Sequence, residues 1–307
     1  MRPSRRASGV RTSLILALAS VTGVVAFGWP LLAQPGGALA HADAAPVVLA
    51  AVLVAVLAVV AVALDDGRMD AKAVAILGLL SAVGTVLRPL SAGTAGVELV
   101  FLVIVLGGRV FGPAFGFALG STTLAASALV TGGVGPWLPF QMLGASWVGM
   151  GAGLLPRRVR GRAEVAVLAT YGAVAAAAFG VAMNLSFWPF QLGAGTGLSY
   201  VAGDPVGANL HRFWLYGLAT SLGWDVGRAI TTAVGLTLLG GPALRALRRT
   251  AARARFDPEP ADRALPQAVG VAVEDGRVGA GGSSAGAPSP GADDTPGLRQ
   301  ATRRAPA

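Results

Sequence analysis

Between residues 12 and 239 the sequence is a succession of eight continuous apolar runs separated by short polar connections. A hydrocarbon core is crossed by about 20 mostly apolar residues in a helix. In lipid every backbone N–H and C=O needs an internal partner, so uninterrupted runs of this kind form helices. The alternation that marks a membrane barrel is missing. The runs cover 12–32, 46–64, 71–87, 97–106, 110–130, 139–155, 165–183 and 213–239. Only 13% of the chain is charged and 54% is hydrophobic, against about 25% charged in soluble domains. An ordinary soluble enzyme and a disordered protein are both excluded. The expected fold is an all-α integral membrane protein.

The basic residues report orientation. All except Lys72 are arginine. Arg2, Arg5, Arg6 and Arg11 precede the first run, and Arg68 and Lys72 follow the second. Arg109 follows the fourth, Arg157, Arg158, Arg160 and Arg162 follow the sixth, and Arg245, Arg248, Arg249, Arg253 and Arg255 follow the eighth. The intervening connections carry only Arg88 and Arg212. Cytoplasmic span ends are enriched in Lys and Arg. Eight spans with both termini in the cytoplasm are therefore expected, in the cell membrane. The net charge of +9 follows topology, and no nucleic-acid partner is expected. Ala38-Leu39-Ala40 after the first run also fits a cleaved signal peptide, but the run exceeds the usual 7–15 apolar residues of such signals. From about Asp257 the chain turns to Pro, Gly, Ala, Ser, Asp and Arg, a composition too poor in apolar surface to offset chain entropy. A disordered cytoplasmic tail is expected there.

Motifs for chemistry are scarce. There is no GxxxxGK[ST] run, no HExxH, no GxSxG and no cysteine, so an ATPase site, a zinc site and a nucleophile elbow are not expected. His41 and His211 fall in connections, where solvated or headgroup-level roles are expected. No metal and no cofactor are expected. The informative residues are polar groups in or beside spans, which are costly in lipid and mark function by default. Arg88 and Glu98 flank one connection and could form an interfacial ion pair. Gln141 follows Gly135-Pro136-Trp137-Leu138-Pro139-Phe140, where Trp137 suits an interface belt. Asn184 closes the seventh run ahead of Ser186, Trp188 and Gln191, either binding a polar ligand or capping the helix. Trp188 could equally stack on a ligand or join an aromatic belt. Asp225 and Arg228 lie three apart on one helix face, near mid-membrane in this register, and read as a structural ion pair. Ala71/Ala75 and Gly78/Ala82 repeat at spacing four, which permits close helix approach.

Three blocks carry a resemblance. Gly132-Gly133-Val134-Gly135-Pro136-Trp137-Leu138-Pro139-Phe140-Gln141-Met142-Leu143 follows a Gly112-Pro113-Ala114-Phe115-Gly116 turn. Asn184-Leu185-Ser186-Phe187-Trp188-Pro189-Phe190 is the second block. Leu222-Gly223-Trp224-Asp225-Val226-Gly227-Arg228-Ala229 is the third. Together they resemble the substrate-binding S components of energy-coupling factor (ECF) transporters, in the actinobacterial branch of the riboflavin-type superfamily. The resemblance implies a six-helix S-component core over 71–240. The N-terminal arm with two extra transmembrane helices would occupy 1–70, and the basic, then disordered tail 241–307. It implies a subunit without its own ATPase site that binds an extracellular vitamin or related micronutrient for ATP-driven uptake. Cobalamin is the first expectation and riboflavin the second. Its partners would be a transmembrane coupling protein and two cytoplasmic ATPase subunits. By position, Arg88, Glu98, Trp137, Gln141, Asn184, Trp188, Gln191 and Tyr200 become candidate substrate contacts, and Ala71 and Ala75 the contact for the coupling protein. A membrane scaffold or regulator with no transported ligand is the alternative reading.

Overall fold

The computed structural model describes residues 5–32, 45–65, 71–91, 96–191 and 195–255, which are helices and connections with no strand among them. The helices are α1 (Arg5–Phe27), α2 (Trp29–Leu32), α3 (Ala45–Asp65), α4 (Ala71–Ser91) and α5 (Val100–Phe111). They continue as α6 (Pro113–Thr131), α7 (Leu138–Leu154), α8 (Gly161–Gln191), α9 (Val206–Thr220) and α10 (Leu222–Arg255). Contacts divide the chain into Met1–Pro258 and Glu259–Ala307. The second unit lies outside the described residues, as does the tail expected to be disordered. His41 and Ala38-Leu39-Ala40 also lie outside them.

Four segments are long and apolar enough to cross a membrane: Ala71–Leu90, Pro113–Thr131, Gly161–Pro189 and Leu222–Arg253. Shorter apolar helices cover Ser13–Phe27, Ala50–Val60 and Val100–Phe111. The eight-run reading differs from the structure at several places, the first run among them, which begins earlier and is broken between α1 and α2. The seventh run continues two turns past Asn184 to Gln191, so that amide sits inside α8 and does not cap it. The eighth run is two helices. Thr220 Oγ1 donates to the Tyr216 carbonyl at 2.8 Å and Ser221 N–H to the Gly217 carbonyl at 2.9 Å, closing α9. Leu222 then opens α10, with Asp225 in its first turn. Asp225 and Arg228 therefore stand at the start of a helix and not in the middle of one. α10 also runs unbroken past residue 240 to Arg255.

The centre of the bundle is a glycine-lined contact between α6 and α7, with α5 across it. A Cβ at Gly149 would strike the Gly116 carbonyl, and one at Gly116 or Gly108 would strike Gly149. Without side chains here the backbones touch, which is how helices associate where lipid removes the hydrophobic drive. Phe101, Ile104, Phe117, Leu119, Leu124 and Leu143 fill the space around them and are almost fully buried. The N-terminal helices pack on this core. α3 lies against α6 and α7, and α1 against α7 and α8. Trp147 Nε1 donates to Ser20 Oγ at 3.1 Å, and the Phe27 and Phe140 rings meet edge to face at 5.1 Å. α4 packs on α5 and α6 through Leu77, Leu80, Ser81 and Thr85. Its opposite face stays open.

Candidate functional site

At one end of the bundle a cavity of about 340 Å³ opens between α4, α6 and α10. The last turns of α4 supply Arg88, the segment before α5 supplies Glu98, and α6 supplies Ser127 and Thr131. The connection into α7 supplies Trp137, and the first turns of α10 supply Trp224 and Arg228. Each arrives there for a local reason. α7 starts at Leu138 with Pro139 in its first turn, where the missing N–H costs nothing, so Trp137 stands just outside the helix. Gly135 lies beneath the Trp137 indole, which leaves no room for a Cβ. Gly96 has φ +83° and its backbone rests on the Trp224 backbone, so both the dihedral and the contact demand glycine. That contact pins the segment bearing Glu98 to the start of α10.

Two guanidiniums organise the cavity. Arg88 donates from Nη2 to Gln141 Oε1 at 2.9 Å and from Nη1 to Ser127 Oγ at 3.4 Å. Gln141 thus reaches across from α7 and fixes the direction of Arg88. Arg228 donates from Nε to Glu98 Oε2 at 2.6 Å and from Nη1 to Asp225 Oδ1 at 2.7 Å. Its guanidinium lies 5.6 Å from the Phe179 ring centroid, an attractive cation–π distance. Gly180 makes room for the Arg228–Asp225 pair, since a Cβ there would strike both side chains. Glu98 therefore pairs directly with Arg228, from a helix 130 residues away, while its charge also acts on Arg88. A strong charge-assisted pair joins Glu98, Asp225 and Arg228 into one unit.

The remaining candidates divide. Asn184 lines a second, largely apolar cavity of about 200 Å³ between α8, α9 and α10, with Phe213, Trp214, Leu222 and Asp225. The Arg228–Asp225 pair stands between the two cavities. Trp188 is fully buried and its ring packs on Tyr200, Phe213 and Tyr216. Its Nε1 donates to the Leu198 carbonyl at 2.8 Å. The stacking plane expected for a ligand is occupied by the protein's own aromatic rings. Tyr200 completes this cluster, and its hydroxyl is buried without a hydrogen-bond partner among the described residues. Burial pushes the Tyr200 phenol above its ordinary range. The connection 195–205 is held further by Asn209, which bonds both N–H and C=O of Val201, and by Arg212 on Asp204 at 2.6 Å. Gln191 ends α8, and its side chain lies outside the described residues.

At the opposite end, Glu164 is buried and accepts from Arg109 Nε and Arg248 Nη2, both at 2.6 Å. Arg109 also donates to the carbonyls of Leu155, Pro156 and Val159. One carboxylate so ties α5, α8, α10 and the α7–α8 connection together. Ala71 and Ala75 lie at this end of α4 and are exposed, and a Cβ at Gly78 on the same face would meet nothing within 4 Å.

Sequence reasoning missed Trp224, Ser127 and the Glu164 hub. Trp224 directly precedes Asp225 and could have been taken with it. Ser127 sits in an unremarkable Ala-Ser-Ala run and gives no local signal. Glu164, an acid between Arg162 and an apolar run, was detectable as a charge at a span boundary. The main cavity is lined by two guanidiniums, one carboxylate, two hydroxyls and two tryptophans. Among the described residues no group of His, Cys, Asp or Glu could hold a metal ion. Residues 72–234, more than half of the chain, match the family described as ECF transporter, substrate-specific component. No curated protein and no solved structure matches the chain.

Proposed function

Because this chain belongs to the ECF transporter substrate-specific components, we propose that its cavity at Arg88, Glu98 and Arg228 captures the transported micronutrient from outside the cell. The observation that carries this reading is the cavity itself: about 340 Å³, within the usual 300–1,000 Å³ of small-molecule sites, with charged groups held in place by partners behind them. Arg88 and Glu98 offer hydrogen bonds of opposite polarity, and Trp137 and Trp224 offer faces for a planar ring. A corrinoid would extend well beyond this cavity. Of the two vitamins the sequence suggested, the cavity favours the smaller, riboflavin-type ligand.

Family membership implies association with a transmembrane coupling protein and ATPase subunits. For the contact we propose the open face of α4, where Ala71 and Ala75 would let a partner helix approach closely. The substrate would bind at one end of the molecule and the coupling helix near the other. Both termini would lie in the cytoplasm, with the arginine-rich end inside.

The test is titration of the purified full chain with riboflavin and, separately, cobalamin, followed by tryptophan fluorescence. Saturable quenching at one riboflavin per chain supports the reading, because Trp137 and Trp224 line the cavity. Saturable binding of cobalamin without riboflavin would remove the size argument. No binding of either ligand would remove the assignment of this vitamin class.

A further inference from the structure

The far end of the molecule carries a dense set of arginines, on elements fastened to one another by Arg109 and Arg248 on Glu164. α10 has 34 residues, about 51 Å at 1.5 Å per residue, while the hydrocarbon core takes up about 30 Å. Its last turns therefore stand at or beyond headgroup depth. There Arg245, Arg249 and Arg253 follow one another at spacing four, on one stripe, and all are exposed. Beneath them Leu244 is buried and Leu247 packs on the core. Arg248 points inward to Glu164. The extension is thus fastened to the bundle. Arg157, Arg158 and Arg160 are exposed on the α7–α8 connection and Arg162 in the first turn of α8, and Arg109 holds three carbonyls of that connection.

Both basic stretches consequently meet around one hub. The only acid within 155–165 and 240–255 is Glu164, and it is buried with two guanidiniums already on one oxygen. The outward arginines are exposed, with no acid of either stretch beside them. Guanidinium is the cation that binds phosphate in a bidentate fork and is weakly hydrated. Basic surfaces immediately outside membrane spans attract anionic lipid.

We propose that this end is a binding surface for anionic phospholipid headgroups, supplied by the Arg245/Arg249/Arg253 stripe together with Arg157, Arg158, Arg160 and Arg162 at the start of α8 and on the connection before it. A topological signal needs only positive charge. A headgroup site needs arginines carried on elements fixed to one another, and the Glu164–Arg248 and Arg109 contacts fasten α10, α8 and the connection before it. The bound lipid would fix the depth of α10 in the bilayer. This inference is independent of which substrate the opposite cavity takes.

The experiment uses the full chain, purified in neutral detergent and titrated with phosphatidylglycerol or phosphatidylcholine, with bound lipid counted by native mass spectrometry. The expected result is saturable binding of phosphatidylglycerol, weakened by salt, with phosphatidylcholine bound at least about tenfold more weakly. R245Q/R249Q/R253Q should lose on the order of a hundredfold in phosphatidylglycerol affinity. Replacing the same three by lysine keeps the topological charge, so insertion is preserved; affinity should drop several-fold while the preference for phosphatidylglycerol remains. Equal binding of the two lipids would overturn the proposal. So would undiminished phosphatidylglycerol binding by R245Q/R249Q/R253Q, or competition by inorganic phosphate as effective as by the lipid. Loss of ATPase co-purification in that variant with lipid binding intact would assign the surface to a protein and overturn it equally.

Discussion

Removing Arg228 should damage the protein more than removing either carboxylate it holds. The guanidinium makes one bond to Glu98 at 2.6 Å and one to Asp225 at 2.7 Å, and the side chains are only 14–18% exposed. Net contributions of hydrogen bonds to charged groups are about 1.5–3 kcal/mol each. Breaking a buried pair from one side costs about 3–5 kcal/mol, because a charge is left behind. Arg228→Met leaves two carboxylates facing each other, so the upper part of that range is expected. Asp225→Asn leaves Arg228 neutralised by Glu98 and should cost about 1.5–3 kcal/mol, one bond's worth. The assay is thermal unfolding of purified protein in one detergent. At about 2–4 °C per kcal/mol for a chain of this size, Arg228→Met should lower the midpoint by about 8–20 °C and Asp225→Asn by roughly half as much. The double variant should fall short of the sum, since removing Arg228 already strands Asp225; coupling of about 0.5–3 kcal/mol is usual for contacting residues. A midpoint for Arg228→Met equal to that of the native protein, or strict additivity in the double variant, would refute the idea that the three side chains act as one unit.

Other outcomes follow from the same packing. Ala71→Leu with Ala75→Leu should leave substrate binding by the isolated chain intact and abolish co-purification with the coupling protein, because these side chains are exposed and far from the cavity. Gly149→Leu should prevent accumulation of folded protein, since its side chain would be driven into the Gly116 backbone; separating α6 from α7 exceeds the usual 1–3 kcal/mol of overpacking, and yield of monodisperse protein is the measure. On this cysteine-free chain, cysteines placed at Gly133 and Gly203 should react with an impermeant reagent added outside cells, and one at Arg158 should react only after the membrane is opened.

The helical class was legible because lipid leaves the backbone no alternative, and the uncharged runs announce it. Most run boundaries sit within a few residues of the helices. The break at Ser221 was not legible: no Gly or Pro interrupts 208–222 except Gly217, and the break rests on backbone bonds and a hydroxyl that continuous hydropathy hides. The small-residue spacing was read only where it is exposed, at Ala71/Ala75 and Gly78/Ala82. The same pattern in Gly116-x-x-x-Gly120 and Gly149-x-x-x-Gly153 is used inside the protein, and spacing cannot tell an internal partner from an external one. At the candidate site, individual polar residues stood out because charge is costly in lipid. Their pairing did not, since Glu98 and Arg228 are brought together only by the way α5 and α10 pack. Trp188 shows the same limit: an aromatic beside a connection reads alike whether its faces meet a ligand or Tyr200, Phe213 and Tyr216.

The most direct measurement compares riboflavin affinity in two variants of the purified full chain, Arg88→Ala and Asn184→Ala, each first shown to unfold with the native midpoint. Arg88 lines the larger cavity and Asn184 the smaller. Loss of a hydrogen bond to a buried group is worth about 1–3 kcal/mol, or about tenfold to a hundredfold in affinity. The account predicts that loss for Arg88→Ala and an affinity within about twofold of native for Asn184→Ala, since a change that small is below about 0.5 kcal/mol. Native affinity in Arg88→Ala together with a large loss in Asn184→Ala would contradict it, and would move the substrate to the apolar side of the Arg228–Asp225 pair.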